Sequence, residues 1–544
     1  MVGSQLIRRG RLSARVRGTD ESVRPAPWPL LAVGLATAGV ALLPLVYLVV
    51  RALGADADAL DLVVRPRTAQ VAASTLALAL LVGAGTIGIG VPLAWLTTRT
   101  DLPARRLWAV LTVVPLAIPS YVTGFAFLAA FGPRGALQGL LAPLGVERLP
   151  SIGGLFGATL VLVLASYPYV LLSTRAAILR TDPAVEDAAR LLGDRRSTVF
   201  RRITLPVLVP AIAAGALLAI LYALADFGAV SLLQFDSFSR AIYVQYQASF
   251  DRSLAAILAL MLVGLTLAVT WAELRLRQRA VAYASVGSST RRPPTTVPLG
   301  RWRWPAVAFC VAVVGLALVV PAGTIGWWLI RGVAQGEPVR LVVDAAVNSF
   351  VVGGGAALGA VLLALPIGLL VARHPARLTS LIERATFTGY ALPGIVIALS
   401  VVFLATNAIP FLYQTLILLV VAYAVRFLPQ GVGSARAALV AVGPRVEEAG
   451  RTLGDGPVRA FVRLTLPLLR PALVAGGALV FLTTVKELPM ALLLGPIGFD
   501  TLATEIWDAA SEGFYARAAA PAALLLVLSA GTVALLLRSE EHSR

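Results

Sequence analysis

Pro183-Ala-Val-Glu-Asp-Ala-Ala-Arg-Leu-Leu-Gly-Asp194 returns 261 residues later as Pro444-Arg-Val-Glu-Glu-Ala-Gly-Arg-Thr-Leu-Gly-Asp455. At the same offset Thr204-Leu-Pro206 falls on Thr465-Leu-Pro467, Pro210 on Pro471 and Gly215 on Gly476, so 18 of the 33 positions from 183 to 215 are identical. Glu, Arg, Asp, Gly and Pro carry the match, which shared hydrophobicity alone does not produce. Upstream, Pro168 and Arg175-Ala-Ala match Pro429 and Arg436-Ala-Ala, and at an offset of 274 Pro92, Arg99 and Pro119 match Pro366, Arg373 and Pro393. The first copy therefore holds 13 extra residues, around 133–153. One unit is written twice.

The surroundings of the repeated stretch are oily. Of 544 residues, 58% are hydrophobic and 14% charged, against about 25% charged in a typical soluble domain. Too little polar surface exists to face water on all sides. A spanning helix needs about 20 apolar residues, and twelve runs qualify, near 28–50, 70–98, 107–131, 154–178, 206–230, 253–273, 304–329, 347–371, 386–409, 414–435, 467–494 and 517–537. Pro168, Pro393 and Pro489 predict kinks or breaks in the fourth, ninth and eleventh. Six runs per copy return the chain to its starting side, so the copies share an orientation about an axis along the membrane normal. The expected fold is an all-α polytopic membrane protein of about 12 transmembrane helices in two parallel six-helix repeats. These occupy 28–275 and 304–537, with a basic tail over 1–27, a linker over 276–303 and a short tail over 538–544. Arginine concentrates in the first 27 residues and in 274–303, which predicts that both termini are cytoplasmic.

Several function classes drop out. The net charge of +18 is explained by basic cytoplasmic loops and needs no nucleic acid. Lys486 is the only lysine and lies in Thr-Val-Lys-Glu, so the chain has no P-loop of its own. Cys310 excludes an internal disulfide and reads as a small hydrophobe. Gly83-Ala-Gly-Thr-Ile-Gly88 fits a dinucleotide pattern but sits inside an apolar span, where small residues let helices pack closely; Gly353, Gly354, Gly355 and Gly359 recur in the other half. His374 and His542 lie far apart, and neither a metal site nor a catalytic constellation stands out.

In the repeated loop, Asp182 and Pro183 (Gly443 and Pro444 in the second copy) suit a helix start, and Gly193 or Gly454 a left-handed stop. Asp194 or Asp455 then suits the cap of a second short helix, ending before Leu205-Pro206 or Leu466-Pro467. Ala188, Ala189, Ala449 and Gly450 keep the first helix smooth. A short rigid knob presented twice on one side suits docking by a partner.

Glu186-Asp187-Ala188-Ala189 with Gly193, and Glu447-Glu448-Ala449-Gly450 with Gly454, resemble the EAA motif of binding-protein-dependent ABC importer permeases. The resemblance covers nearly the whole chain as a fused two-copy permease of a bacterial inner membrane. It implies that Glu186, Asp187, Ala188, Ala189, Gly193 and Asp194, with Glu447, Glu448, Ala449, Gly450, Gly454 and Asp455, form coupling helices held by two cytoplasmic ATPase subunits. Those subunits would carry ATP and Mg, this chain no cofactor of its own, and an extracytoplasmic binding protein would deliver cargo. Gly450 departs from the usual alanine. Ala225-Asp-Phe-Gly-Ala-Val-Ser-Leu-Leu, Val485-Lys-Glu-Leu-Pro-Met-Ala-Leu-Leu-Leu and Gly498-Phe-Asp-Thr-Leu-Ala-Thr resemble the ferric-iron branch, to which thiamine and phosphonate permeases are related.

Asp226 and Glu487 stand at equivalent places, 20 residues past Pro206 and Pro467, about 30 Å up a helix. A carboxylate at that depth needs a partner or a water-filled cavity. Either the two line an outer vestibule or gate, with Lys486 balancing Glu487, or they cap breaks at the external interface. An ion-coupled secondary transporter would need ionisable groups at mid-span, where the runs are nearly all apolar, and an intramembrane enzyme would need a polar cluster.

Overall fold

The computed structural model describes all residues except 1–25, 55–63, 134, 147–148, 182, 249–252, 285–295, 338 and 543–544. Most of the basic tail, Asp182 and much of the linker thus lie outside the described residues. The rest is dominated by helix, because a backbone in lipid must satisfy its own amides. Among the described residues ten helices are long and apolar enough to cross a membrane, or twelve if each of two bent pairs is one span.

The first half runs α1 (Trp28–Leu53), α2 (Pro66–Arg99), α3 (Arg105–Leu111), α4 (Ser120–Phe131), α5 (Gly154–Arg180), α6 (Pro183–Leu191), α7 (Leu205–Ala225), α8 (Gly228–Leu232), α9 (Phe238–Ala248) and α10 (Ser253–Ala284). The second half repeats the order as α11 (Arg303–Val314) and α12 (Val320–Ala334), α13 (Val339–Arg373), α14 (Arg377–Ala391), α15 (Gly394–Ala408), α16 (Leu416–Val442), α17 (Arg445–Thr452), α18 (Leu466–Val485), α19 (Pro489–Leu494), α20 (Leu502–Ser511) and α21 (Tyr515–His542). Helix α10 continues into the stretch read as linker.

Proline behaves less uniformly than the sequence suggests. The ninth run breaks as expected, bending by 104° ahead of α15, where Pro393 is extended with ψ 142°. The third run breaks too, by 97°, at the equivalent Pro119, which was not expected. Pro168, by contrast, leaves α5 unbroken. Gly90 of α2 packs there so closely that a Cβ would stand 3.0 Å from the Tyr167 carbonyl and 2.9 Å from the Leu171 amide. That clamp holds α5 on both sides of its proline. The eleventh run stops at Val485 and restarts at Pro489.

Each half is built around a triad of spans, α2 with α5 and α7, and α13 with α16 and α18. Gly215 and Gly476 explain their own recurrence. A Cβ at Gly215 would meet the Val170 Cα at 2.8 Å, and one at Gly476 the Ser434 Cβ at 2.9 Å, so each lets the fifth span press against the fourth. Gly83 and Gly85 likewise seat Ile220 and Val163, the packing role read from the sequence. Cys310 is fully buried in a cluster with Leu93 and Leu164.

The first spans are exchanged. Helix α1 packs on α13, α14, α15 and α16 of the second half, while α11 and α12 lie against α2 and α4 of the first. The largest buried cluster consequently draws on both halves, from Tyr121 and Phe227 to Tyr423 and Leu502.

Candidate functional site

Both knobs are present, and both end in the predicted left-handed glycine, with φ +94° at Gly193 and +92° at Gly454. Two details differ from expectation. Asp455 caps no helix; it forms ion pairs with Arg459 at 3.2 Å and Arg463 at 3.6 Å, while Gly456 takes the capping position. Nor does the second short helix stop before Pro206 or Pro467. It widens into a π turn, Phe200–Thr204 or Phe461–Thr465, and runs on into α7 or α18. A proline ring would collide with the carbonyl four residues back, and the wider turn moves that carbonyl aside.

The glutamate of each knob points inward. Glu186 accepts from Arg99, at the end of α2, at 2.5 Å and from the Thr204 hydroxyl at 3.0 Å. Arg99 is 1% exposed. In the second copy Glu447 accepts from Arg373 at 3.2 Å and from Thr465 at 3.3 Å, and Arg373 also donates to the Gly443 carbonyl at 2.8 Å. This second pair is shallower, with side chains 12% and 22% exposed. Ala189 and Gly450 share the inner face. A Cβ at Gly450 would lie 2.6 Å from Leu464 Cδ1, so that glycine is a fit to its neighbour. Asp187, Ala188, Glu448 and Ala449 face outward to varying degrees, and Asp194 is exposed. The tips carry bare leucines, Leu191 at 89%, Leu192 at 88% and Leu453 at 88% exposed. Sequence reading passed over these leucines and over Arg99, Arg373, Thr204 and Thr465 as site residues. The signal was there, since Leu192 and Leu453, Arg99 and Arg373, and Thr204 and Thr465 are matched pairs.

The linker reaches the first knob. The Val297 amide donates to the Arg99 carbonyl at 2.7 Å and the Leu299 amide to Asp101 Oδ1 at 2.8 Å. In the second copy the corresponding helix end is closed locally, by Thr379 donating to the His374 carbonyl at 2.9 Å.

At the other end of the fifth spans, Asp226 ties its helix break to the break at Pro119, and Glu487 ties its own to α16. Asp226 Oδ1 accepts from the Ala229 and Val230 amides at 3.0 and 3.2 Å, and its other oxygen from the Ser120 hydroxyl beside Pro119. Glu487 Oε2 accepts from the Met490 amide at 2.9 Å and the Tyr423 hydroxyl at 3.1 Å. Its ionic partner is Arg426 of α16 at 3.5 Å. Lys486 forms no ion pair among the described residues. Gly394, the counterpart of Ser120, makes room for this pair, since a Cβ there would lie 2.4 Å from Glu487 Oε1. Arg426, a charge inside an apolar run, could have been found from the sequence.

Above these breaks lie α9 and α20, matched at an offset of 264 by Phe235-Asp-Ser237 and Phe499-Asp-Thr501. The offset pairs Tyr243 with Trp507, and their rings touch at 5.8 Å between centroids, with Phe227 4.9 Å from Tyr243. Equivalent residues in contact place the pseudo-two-fold axis between them. Helix α20 is acidic. Burial, then Asp500, Glu505 and Glu512, push the Asp508 carboxyl up to about 6, with Arg517 opposing.

Residues 86–281 and 364–540 match the family described as binding-protein-dependent transport system inner membrane component. The chain belongs to that family. It is an ABC importer permease, and the two matched stretches are its two copies. The permease is 32% identical to the Fe(3+)-transport system permease protein FbpB 2 of Haemophilus influenzae over 91% of this chain and 95% of that one. It is 24% identical to the ferric transport system permease protein FbpB of Actinobacillus pleuropneumoniae over 84% and 69%. The sulfate transport system permease protein CysW of Escherichia coli is 30% identical over 38% of this chain and 70% of its own.

Proposed function

We propose that the permease carries ferric iron into the cytoplasm, receiving it from an extracytoplasmic binding protein and moving it by alternating access. Two ATPase subunits grip α6 and α17, one each, and supply ATP and Mg. Both termini face the cytoplasm, as the arginine-rich flanks favour. The observation that carries this reading is the doubled knob, a helix tip of bare leucines braced from behind by a buried Arg-Glu-Thr cluster. Exposed leucines at a rigid tip are costly in water and useful in a partner's cleft, and the brace passes load from the knob to α2 or α13.

Asp226 and Glu487 serve the pathway as hinge residues below the crossing point of Tyr243 and Trp507, Asp226 holding two breaks together and Glu487 holding one to α16. That aromatic contact closes the outer end, and ATP-driven approach of the knobs opens it. Ferric cargo is favoured because FbpB 2 is 32% identical over 91% of this chain and 95% of its own, and a second ferric permease matches over 84% of this chain. Co-reconstitution of the permease with its ATPase and binding protein in vesicles tests the proposal. ATP-dependent uptake of radioactive ferric iron is expected, with sulfate, thiamine and phosphonate left outside; uptake of one of those instead would overturn the cargo, and uptake without ATP would overturn the class.

A further inference from the structure

Behind the first knob lies a cavity of about 580 Å³, bounded by α2, α5, α6, α7 and the linker residue Val297. It falls within the roughly 300–1,000 Å³ usual for small-molecule sites. Its body is apolar, lined by Trp95, Leu96, Phe200, Leu208 and Ile212. Six polar residues also line it, Arg99, Thr174, Glu186, Arg190, Ser197 and Thr204. Three of them present a buried polar atom with no hydrogen-bond partner among the described residues: Arg99 Nε, Thr174 Oγ1 and Arg190 Nε. Arg99 and Thr174 are 1% and 0% exposed. Unmade bonds of this kind each cost about 1–3 kcal/mol, which favours an occupant that accepts hydrogen bonds. Among the lining residues two guanidiniums stand against the single carboxylate of Glu186; Asp187, half-exposed and 3.7 Å from Arg190, lies outside the lining, so the cavity wall itself is net positive, which favours an anion. Along α2 the lining runs from Val91 to Arg99, eight residues or about 12 Å parallel to the spans, the shape of a chain lying as lipid tails lie.

We propose that this cavity holds one acyl chain of an anionic phospholipid from the cytoplasmic leaflet, its phosphate taken by Arg190, Arg99 and Thr174. Basic recesses between spans on that side suit acidic head groups. The lipid touches Arg190 on the rear of the knob, so leaflet composition bears on how firmly the first knob is held. The inference is independent of the cargo.

Native mass spectrometry of the purified full chain tests it, with phosphatidylglycerol and phosphatidylcholine of matched acyl chains as probes at equal concentration. One phosphatidylglycerol per chain is expected, preferred about 5- to 10-fold over phosphatidylcholine, the effect of one net charge near a membrane surface. Ile212→Trp fills the cavity and abolishes retention. Should it fail to fold, the surface-reaching Arg190→Gln and the near-isosteric Thr174→Val carry the test, the first removing the excess charge and with it the preference, the second lowering the amount of phosphatidylglycerol retained. Equal retention of the two lipids by the natural chain overturns the proposal. So do unchanged retention in every variant, capture of free palmitate in place of phospholipid, and a chain that holds no lipid at all.

Discussion

Replacing Glu186 or Glu447 with alanine asks whether the two knobs are braced equally. Arg99 and Glu186 meet at 2.5 Å with side chains 1% and 5% exposed. Removing one member of so buried a pair strands the other charge and costs about 3–5 kcal/mol. Arg373 and Glu447 meet at 3.2 Å with 12% and 22% exposed, nearer the regime where an ion pair contributes about 1 kcal/mol. Arg373 also keeps the Gly443 carbonyl. The difference, about 2 kcal/mol at the least, is about 30-fold in the population of the braced knob. Hydrogen exchange over 186–192 in the Glu186→Ala protein should therefore quicken far more than exchange over 447–453 in Glu447→Ala. ATPase binding in lipid nanodiscs should weaken in the same ratio. Arg99→Met combined with Glu186→Leu removes both buried charges and should recover at least half of the loss, since an apolar pair of similar volume often replaces a buried ion pair without cost. Equal effects at the two knobs, or a double variant no better than Glu186→Ala, would refute the bracing argument.

Valine at Gly193 or Gly454 forces a β-branched residue into positive φ, costing about 1–3 kcal/mol; ATPase docking and uptake should fall while membrane insertion measured by fractionation stays normal. With Cys310 replaced by alanine, Tyr243→Cys and Trp507→Cys should join under a short crosslinker, the yield should drop on trapping with ATP and vanadate, and the crosslinked protein should not transport. Asp226→Ala strands two amides and a hydroxyl and should abolish uptake, with Asp226→Asn keeping a part; normal uptake in the alanine protein would remove Asp226 from the mechanism. Asp508 titrates near 6 in the fold against 3.8 when free, so its contribution is present below about pH 4 and lost as pH rises through about 6. Asp508→Asn should melt above the natural protein at pH 7.5 and level with it at pH 4.

The duplication, the helix count and the knobs were legible because they rest on local facts. An apolar run must be helix in lipid, glycine alone accepts positive φ cheaply, and charged residues recurring at one offset mark equivalent places. Even the break at Pro119 was within reach, being matched to Pro393, yet Pro168 could not be told from either, because a neighbour's glycine decides whether a proline bends its helix.

Sequence alone determined that this is a doubled, lipid-embedded permease with the same short helical loop in each copy. Tertiary structure decided that the first spans change places, that Glu487 answers Arg426 and not its neighbour Lys486, and that Glu186 braces from within while leucines face out. The reason is rotation about the helix axis. A span oily on every side carries no amphipathic stripe, so which face turns inward is set only when the helices meet.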